Sequence, residues 1–305
     1  MYLRIRKKLQ LAARHWQFYL IMLVPLVYLF IFHYIPMYGM QIAFRQFSPS
    51  KGIAGSPWIG FENFRRFLSA YNFRTILWNT ISLSLYEILA SFPFPLVFAI
   101  MINEVPSRRF KRSVQMISYA PHFISTIVIV AIMNQLLNLR FGIVNNLIEI
   151  FGGQRINFLA DPKLFKTLYV FSGIWQHTGY AAILYIAALA AVDPTLYEAA
   201  SIDGASKLQK IRYIDLPCLM PTAIIILILN MGNIMNVGID KVLAMQNDAN
   251  MGVSEVISTY VYNIGIINSD FSYATAAGTF NSVINLTLLL SLNALAKRVS
   301  ETSLF

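Results

Sequence analysis

Residues Tyr197–Pro217 read YEAASIDGASKLQKIRYIDLP, a long polar interval set between two strongly apolar runs, and its reading decides the fold. Asp193-Pro194 introduces it, an acid at the N-cap position and a proline at the first helical position, which predicts a helix start. Leu196, Ala199 and Ala200 then share one helical face, with Glu198 and Ser201 elsewhere. Asp203-Gly204 predicts a turn that needs a permissive backbone. A second short polar helix is expected over 207–214, leading to Leu216-Pro217 and back into apolar sequence. The prediction is a small helix-turn-helix, exposed between two membrane spans and shaped to be gripped by another protein.

The rest of the chain supplies the membrane. Of 305 residues, 57% are hydrophobic and only 12% charged, against about 25% charged in soluble domains. Mean hydropathy is +0.57. A chain with so little polar surface belongs in a bilayer. A net charge of +10 would suggest nucleic acid if it formed one soluble patch. Instead the cations alternate with apolar runs, so no nucleic-acid partner is expected. Segments placed inside hold 14 of the 24 Lys/Arg, including Arg4, Arg6, Lys7, Lys8 and Arg14, then Arg108, Arg109, Lys111 and Arg112. The longer outer loops hold nine, Lys241 among them, and Arg74 sits at a boundary. This positive-inside bias predicts that both termini are cytoplasmic. The single cysteine, Cys218, excludes an internal disulfide.

Six spans fit that bias, each about 20 residues or more, enough to cross about 30 Å of hydrocarbon. The expected organisation is all-α: a basic cytoplasmic N-terminus at 1–16, a six-span domain over 17–298 with the polar loop at 193–217, and a cytoplasmic tail at 299–305. The first span, 18–34, has no small-residue cleavage site after it and reads as retained. Trp58 to Leu68 predicts an amphipathic helix on the outer surface, with Phe61, Phe64, Phe67 and Leu68 near one face. Span two is expected over 76–102, bent at Pro93 and Pro95. Span three is expected over 114–137, span four over 168–192, span five over 219–237 and span six over 273–296. The loop around Gly152, Gly153 and Asp161-Pro162 reads as irregular.

Polar side chains at membrane depth face a bundle or a water-filled cavity. Asn230, Asn233 and Asn236 recur every three residues in span five and would form a stripe about 120° wide. Asn281 and Asn285 sit one turn apart in span six. Amides near aromatic rings (Trp175, Tyr180, Tyr185) suit sugar hydroxyls and sugar faces, which makes these residues a candidate substrate path. Interhelical hydrogen bonding accounts for the same amides equally well. Glu87 and His177 are the ionisable groups expected within spans, and His122 reads as a local structural residue.

The loop also carries a family resemblance. Glu198-Ala199-Ala200, Gly204, Ile214 and Leu216-Pro217 match in type and spacing the EAA loop of binding-protein-dependent ABC importer permeases. Asp203-Gly204-Ala205 resembles the sugar-transporting branch, which includes the maltose-type permeases. Tyr34-Ile-Pro-Met-Tyr-Gly39, Asn79-Thr80, Tyr119-Ala-Pro-His-Phe-Ile-Ser125 and Tyr260-Val-Tyr262 are similar to its oligosaccharide and polysaccharide permeases (LplB-type). The resemblance implies a coupling helix between spans four and five, with Glu198, Ala199, Ala200, Asp203, Gly204 and Pro217 as coupling residues. It further implies a second homologous permease subunit, two cytoplasmic ABC ATPase subunits, an extracellular solute-binding protein and a carbohydrate substrate. The location implied is the bacterial plasma membrane. No cofactor is expected on this chain, ATP and magnesium belonging to the ATPase partners. The sequence has no G-x-x-x-x-G-K-[ST] phosphate loop, so no enzymatic activity of its own is expected. Two alternatives stand beside sugar import: an ion-coupled secondary transporter, and an ABC importer permease for a non-sugar solute. A membrane glycosyltransferase would need clustered carboxylates or a metal set, and the acids outside the loop are scattered.

Overall fold

The computed structural model describes residues 15–299. The expected basic N-terminus and the tail at 299–305 lie almost wholly outside them. In chain order the helices are α1 (Trp16–Phe44), α2 (Glu62–Leu68), α3 (Phe73–Asn103), α4 (Arg108–Tyr119), α5 (Thr126–Leu136), α6 (Ile143–Ile150), α7 (Pro162–Ala190), α8 (Pro194–Ile202), α9 (Lys207–Met231), α10 (Ile239–Met245), α11 (Ile257–Ile267) and α12 (Phe271–Val299). Among the described residues there is no strand, only an isolated antiparallel bridge between Arg45 and Trp58. Three helices, α1, α3 and α9, are each long and apolar enough to cross a membrane. The number rises to five if the bent pairs α4–α5 and α7–α8 each count as one span. α12 is a further long helix, of 29 residues.

Among the described residues two compact units emerge, one running up to Leu68 and joined by Ile264–Thr279, the other of Ser69–Asn263 with the chain from Phe280 onward. In the first, α1 runs past the expected end at 34 and buries nothing from Trp16 to Met37. It passes Pro36 because the preceding turn is π-helical: Ile35 N–H bonds back five residues to Phe30. Proline lacks an N–H and crowds the carbonyl four residues back, and a widened turn relieves both problems. The amphipathic helix starts only at Glu62. Trp58 is instead held in the bridge, stacked on Phe44 with ring centroids 5.4 Å apart. Of the expected apolar face, Phe67 is buried while Phe61 and Leu68 are exposed. Arg66 joins this unit together by an ion pair to Asp270 at 2.8 Å and by lying over the Tyr273 ring.

The second unit is built around α7. Its buried residues, among them Phe165, Tyr169, Gly173, Gln176, Ala182 and Leu189, recur at helical spacing along its length. They pack against both halves of α3 and against α4, α9 and α10. α7 starts at Pro162, with Asp161 as a true N-cap accepting from Lys163 N at 2.9 Å. The Asp161-Pro162 pair is therefore a helix start, where an irregular loop was expected. Gly179 permits a close crossing, since a Cβ there would lie 2.2 Å from the Ser118 carbonyl oxygen.

Span three is broken. α4 begins at Arg108, inside the stretch expected to be a basic loop, and α5 leaves at 99° to it. A 3-10 turn over Ala120–Phe123 and extended backbone at Ile124 and Ser125 separate the two. Pro121 contributes no N–H there, and the Ile124 carbonyl freed by the break accepts from Gln176 Nε2 at 2.9 Å. Such a break is tolerated when a neighbour supplies the missing bond.

Candidate functional site: an exposed loop and a polar cavity

The loop at 193–217 is a self-contained piece of backbone chemistry. Asp193 caps α8 by accepting from Thr195 N at 2.9 Å, and the hydrogen bonds from Thr195 hold its carboxyl below the usual aspartate range. α8 leaves α7 at 69° and has no buried residue. Gly204 ends α8 with φ of +74°. Ala205 N bonds to Ala200 O at 2.8 Å and Gly204 N to Ser201 O at 3.2 Å, the paired bonds of a Schellman C-cap. A Cβ on Gly204 would meet open space, so φ alone requires the glycine. Ser206 and Gln209 close a capping box that opens the next helix, and Lys210 Nζ reaches back to Ser201 Oγ at 2.7 Å.

That next helix is not the short separate segment expected over 207–214. Lys207–Met231 is one 25-residue helix, α9. It passes Pro217 as α1 passes Pro36, with Leu216 N–H bonding five residues back to Ile211 in a π turn over Ile211–Asp215. Glu198, Ala199 and Asp203 are exposed, as are Ile202 and Leu208, at 87% and 75%. Pro217 is exposed too. Exposed apolar side chains interleaved with charges suit a protein partner.

The second feature is polar and interior. Three cavities of about 220, 220 and 260 Å³ adjoin Glu87, which lines all of them. Asn230 and Ser91 line the first and second, His177 the first and third, and Asn236 the second and third. The asparagines do meet, though not as a helical stripe. α9 ends at Met231, so Asn233 and Asn236 lie in the turns that follow. Asn236 Nδ2 reaches Asn233 Oδ1 at 3.4 Å, and Asn281 Nδ2 reaches Asn236 Oδ1 at 3.2 Å. Asn281 Oδ1 is buried with no partner among the described residues. Asn285 has a different task, its Oδ1 accepting from the buried Met235 N–H at 2.9 Å. Tyr185 lines the first cavity. Trp175 and Tyr180 line none of the three: Trp175 is exposed, and Tyr180 stacks on His122 with centroids 3.8 Å apart.

Two groups in this region escape a sequence reading. Lys241, counted from sequence as an outer-loop cation, is only 6% exposed and donates to the Tyr169 carbonyl at 2.7 Å. Its Nζ also lies 4.6 Å over the Tyr169 ring. It lines the third cavity with Glu87, and both side chains come within 4 Å of the Cβ position of Gly173. No local signal marks it, since the burial comes from α7. Gln176, 2% exposed, lines the same cavity with Oε1 unpartnered among the described residues. His122 is more than a local residue: its Nδ1 lies 3.0 Å from Nδ1 of His177 and ties the break in span three to α7.

Comparison with known proteins places the chain. The family model described as the inner membrane component of binding-protein-dependent transport systems matches residues 91–301. The polygalacturonan/rhamnogalacturonan transport system permease protein YteP of Bacillus subtilis is 38% identical over 301 residues, covering 98% of this chain and 94% of that protein. Protein LplB of the same organism is 39% identical over 287 residues, covering 94% and 90%. A crystal structure of a bacterial ABC transporter involved in import of the acidic polysaccharide alginate superposes with a TM-score of 0.89 at 36% identity, covering 96% of this chain and 99% of that one. The chain belongs to the inner membrane component family of binding-protein-dependent transport systems.

Proposed function

We propose that this chain is the membrane-spanning permease subunit of an ATP-driven importer that moves oligosaccharides, or fragments of polysaccharides, into a bacterial cell by alternating access. The observation that carries the reading is the loop at 193–217: a helix with no buried residue, capped at both ends, presented between two long helices. It is a fitting seat for a cytoplasmic ATPase subunit, with Glu198 and Asp203 as its polar contacts. In this reading six spans cross the membrane, both termini are cytoplasmic, α4–α5 contributes one bent span, and α7 crosses without α8, which lies in the cytoplasm. The partners are a second permease, two ATPase subunits and an extracellular solute-binding protein, and the ATPases supply the energy.

The cavities around Glu87 would receive the sugar. Asn230, Asn233 and Asn236 line them and supply amide donors and acceptors, Asn281 holds Asn236 from α12, and Oε1 of Gln176, without a partner among the described residues, awaits a hydroxyl donor. The similar proteins carry acidic polysaccharides or their fragments by name, so labelled oligogalacturonate is the first probe and a neutral maltooligosaccharide the control. The test is uptake by proteoliposomes holding the whole complex. Uptake should need internal ATP and survive an ionophore. The grouping of Glu87, Lys241 and His177 on one cavity favours ion coupling as the second reading; uptake without ATP that collapses with the ionophore would establish it. Asn281→Leu should impair uptake in complexes that still assemble.

A further inference from the structure

Beneath the exposed loop lies a partly buried polar cluster that neither the loop motif nor the cavity uses. Asp215, the last residue of the π turn in α9, has no exposed surface. Its Oδ1 accepts a hydrogen bond from the hydroxyl of Tyr197 on α8. The Asn103 side chain, at the end of α3, lies close enough to the same hydroxyl to interact with it. Three helices thus meet at one phenol. The second carboxylate oxygen of Asp215 is buried and has no partner among the described residues. A buried acid that is only half satisfied destabilises a fold, and an apolar residue would pack there more favourably. Packing alone therefore does not account for Asp215.

The surroundings suggest what does. One turn beyond Asp215, Leu219 is fully buried in an apolar cluster with Ala99 and Ile100 of α3 and Ala182 and Leu189 of α7. Further along the same unbroken helix, about 22 Å from Asp215 at 1.5 Å per residue, Asn230 lines two of the cavities. Asp215 is thus the foot of a rod whose far end reaches the cavity. α8 has no buried apolar side chain to hold it against that rod. Its connections are the capped turn at Gly204, the Lys210–Ser201 hydrogen bond and Tyr197.

We propose that Tyr197 and Asp215, with Asn103 beside them, form a clamp, buried at its Asp215 end, that makes α8 and α9 one rigid body, so that a displacement of the exposed loop reaches the cavity without slack. The three are positioning residues, acting through the helices they join. The proposal rests on the importer reading above and adds the route by which force would travel. The clamp predicts that labels on Ile202→Cys in α8 and on the native Cys218 in α9 keep one unshifted distance between the nucleotide-free and the ATP-vanadate-trapped complex. In Tyr197→Phe the same pair should give a broadened or shifted distance.

The functional arm is sugar taken up per ATP hydrolysed, measured in proteoliposomes of the whole complex with labelled oligogalacturonate. Tyr197→Phe and Asp215→Leu should each lower that ratio on the order of tenfold, the equivalent of one hydrogen bond to a charged group. Asp215→Asn still accepts from Tyr197 and should fall between these variants and the unaltered protein. A role in packing alone would reduce the amount of assembled complex and leave the ratio unchanged, and that result overturns the clamp. A distance that changes on nucleotide binding in the unaltered protein overturns it as well, even if every variant fails to assemble. Absence of ATP-driven uptake by the unaltered complex would instead sink the importer reading, and the clamp with it.

Discussion

The loop at 193–217 and the cavity around Glu87 are both polar islands in an apolar chain, yet they are built on opposite plans. In the loop, every cap and turn is closed by residues a few positions apart: Asp193 with Thr195, Ala200 with Ala205, Ser206 with Gln209. In the cavity, α3, α7, the end of α9 with the turns after it, and α10 all bring groups. Its bonds span long separations, as from Lys241 to Tyr169 and from Asn281 to Asn236. A locally closed element keeps its shape while its surroundings move, which suits a part that must be seized and displaced. An element assembled from afar changes shape whenever the helices shift, which suits a site that must open and close.

Four measurements would break or sharpen this contrast. The largest effect is expected from Lys241→Met, which strips the Tyr169 carbonyl of one of its donors and Glu87 of a nearby cation. Thermal unfolding of the detergent-solubilised complex should register a loss of about 3 kcal/mol; a neutral result would mean that the cavity does not depend on its distant cation. Asn285→Leu should cost about 2 kcal/mol in the same assay by leaving the buried Met235 N–H without an acceptor. The loop should respond more mildly. Gly204→Ala is expected to cost about 1 kcal/mol, from φ alone, and its effect should add to that of Ser206→Ala within about 0.5 kcal/mol. Strong non-additivity there would show the loop to be as interwoven as the cavity.

The smallest effect concerns acidity. Because Asp193 titrates below the ordinary aspartate range, its cap is complete at neutral pH and fades as pH falls through that depressed value. Fraying of α8, followed by a spin label on Ile202→Cys, should therefore rise only below about pH 4. Asp193→Asn caps without titrating and should remove the dependence.

The same contrast explains what could be read from the amino-acid sequence. The loop is short-range chemistry, so its helix start, its glycine turn and its exposed face were all legible in consecutive residues. Asp161-Pro162 carried the same start signal as Asp193-Pro194, yet read as a loop because glycines precede it. Asn233, Asn236 and Asn281 are joined by hydrogen bonds, but the stripe expected with Asn230 does not form, since a period of three continues through a helix end without any mark. Lys241 looked like any loop cation, and only the packing of α7 against α10 reveals it as an interior charge. The break in span three was hidden for a related reason. Pro121 was visible, but the carbonyl acceptor that makes a bend tolerable is satisfied by Gln176, far along the chain.

The π turn at Ile211–Asp215 has a consequence of phase. A five-residue turn holds one residue more than an α-helical turn with the same bonding ladder would need, and each residue of an α-helix advances the azimuth by about 100°. Everything from Ser206 to Lys210 is thereby rotated about the α9 axis relative to everything from Leu219 to Asn230. Excising a single residue from this turn would re-clock the outer loop by roughly a quarter of a revolution while leaving its caps intact, aiming an unaltered grip in the wrong direction.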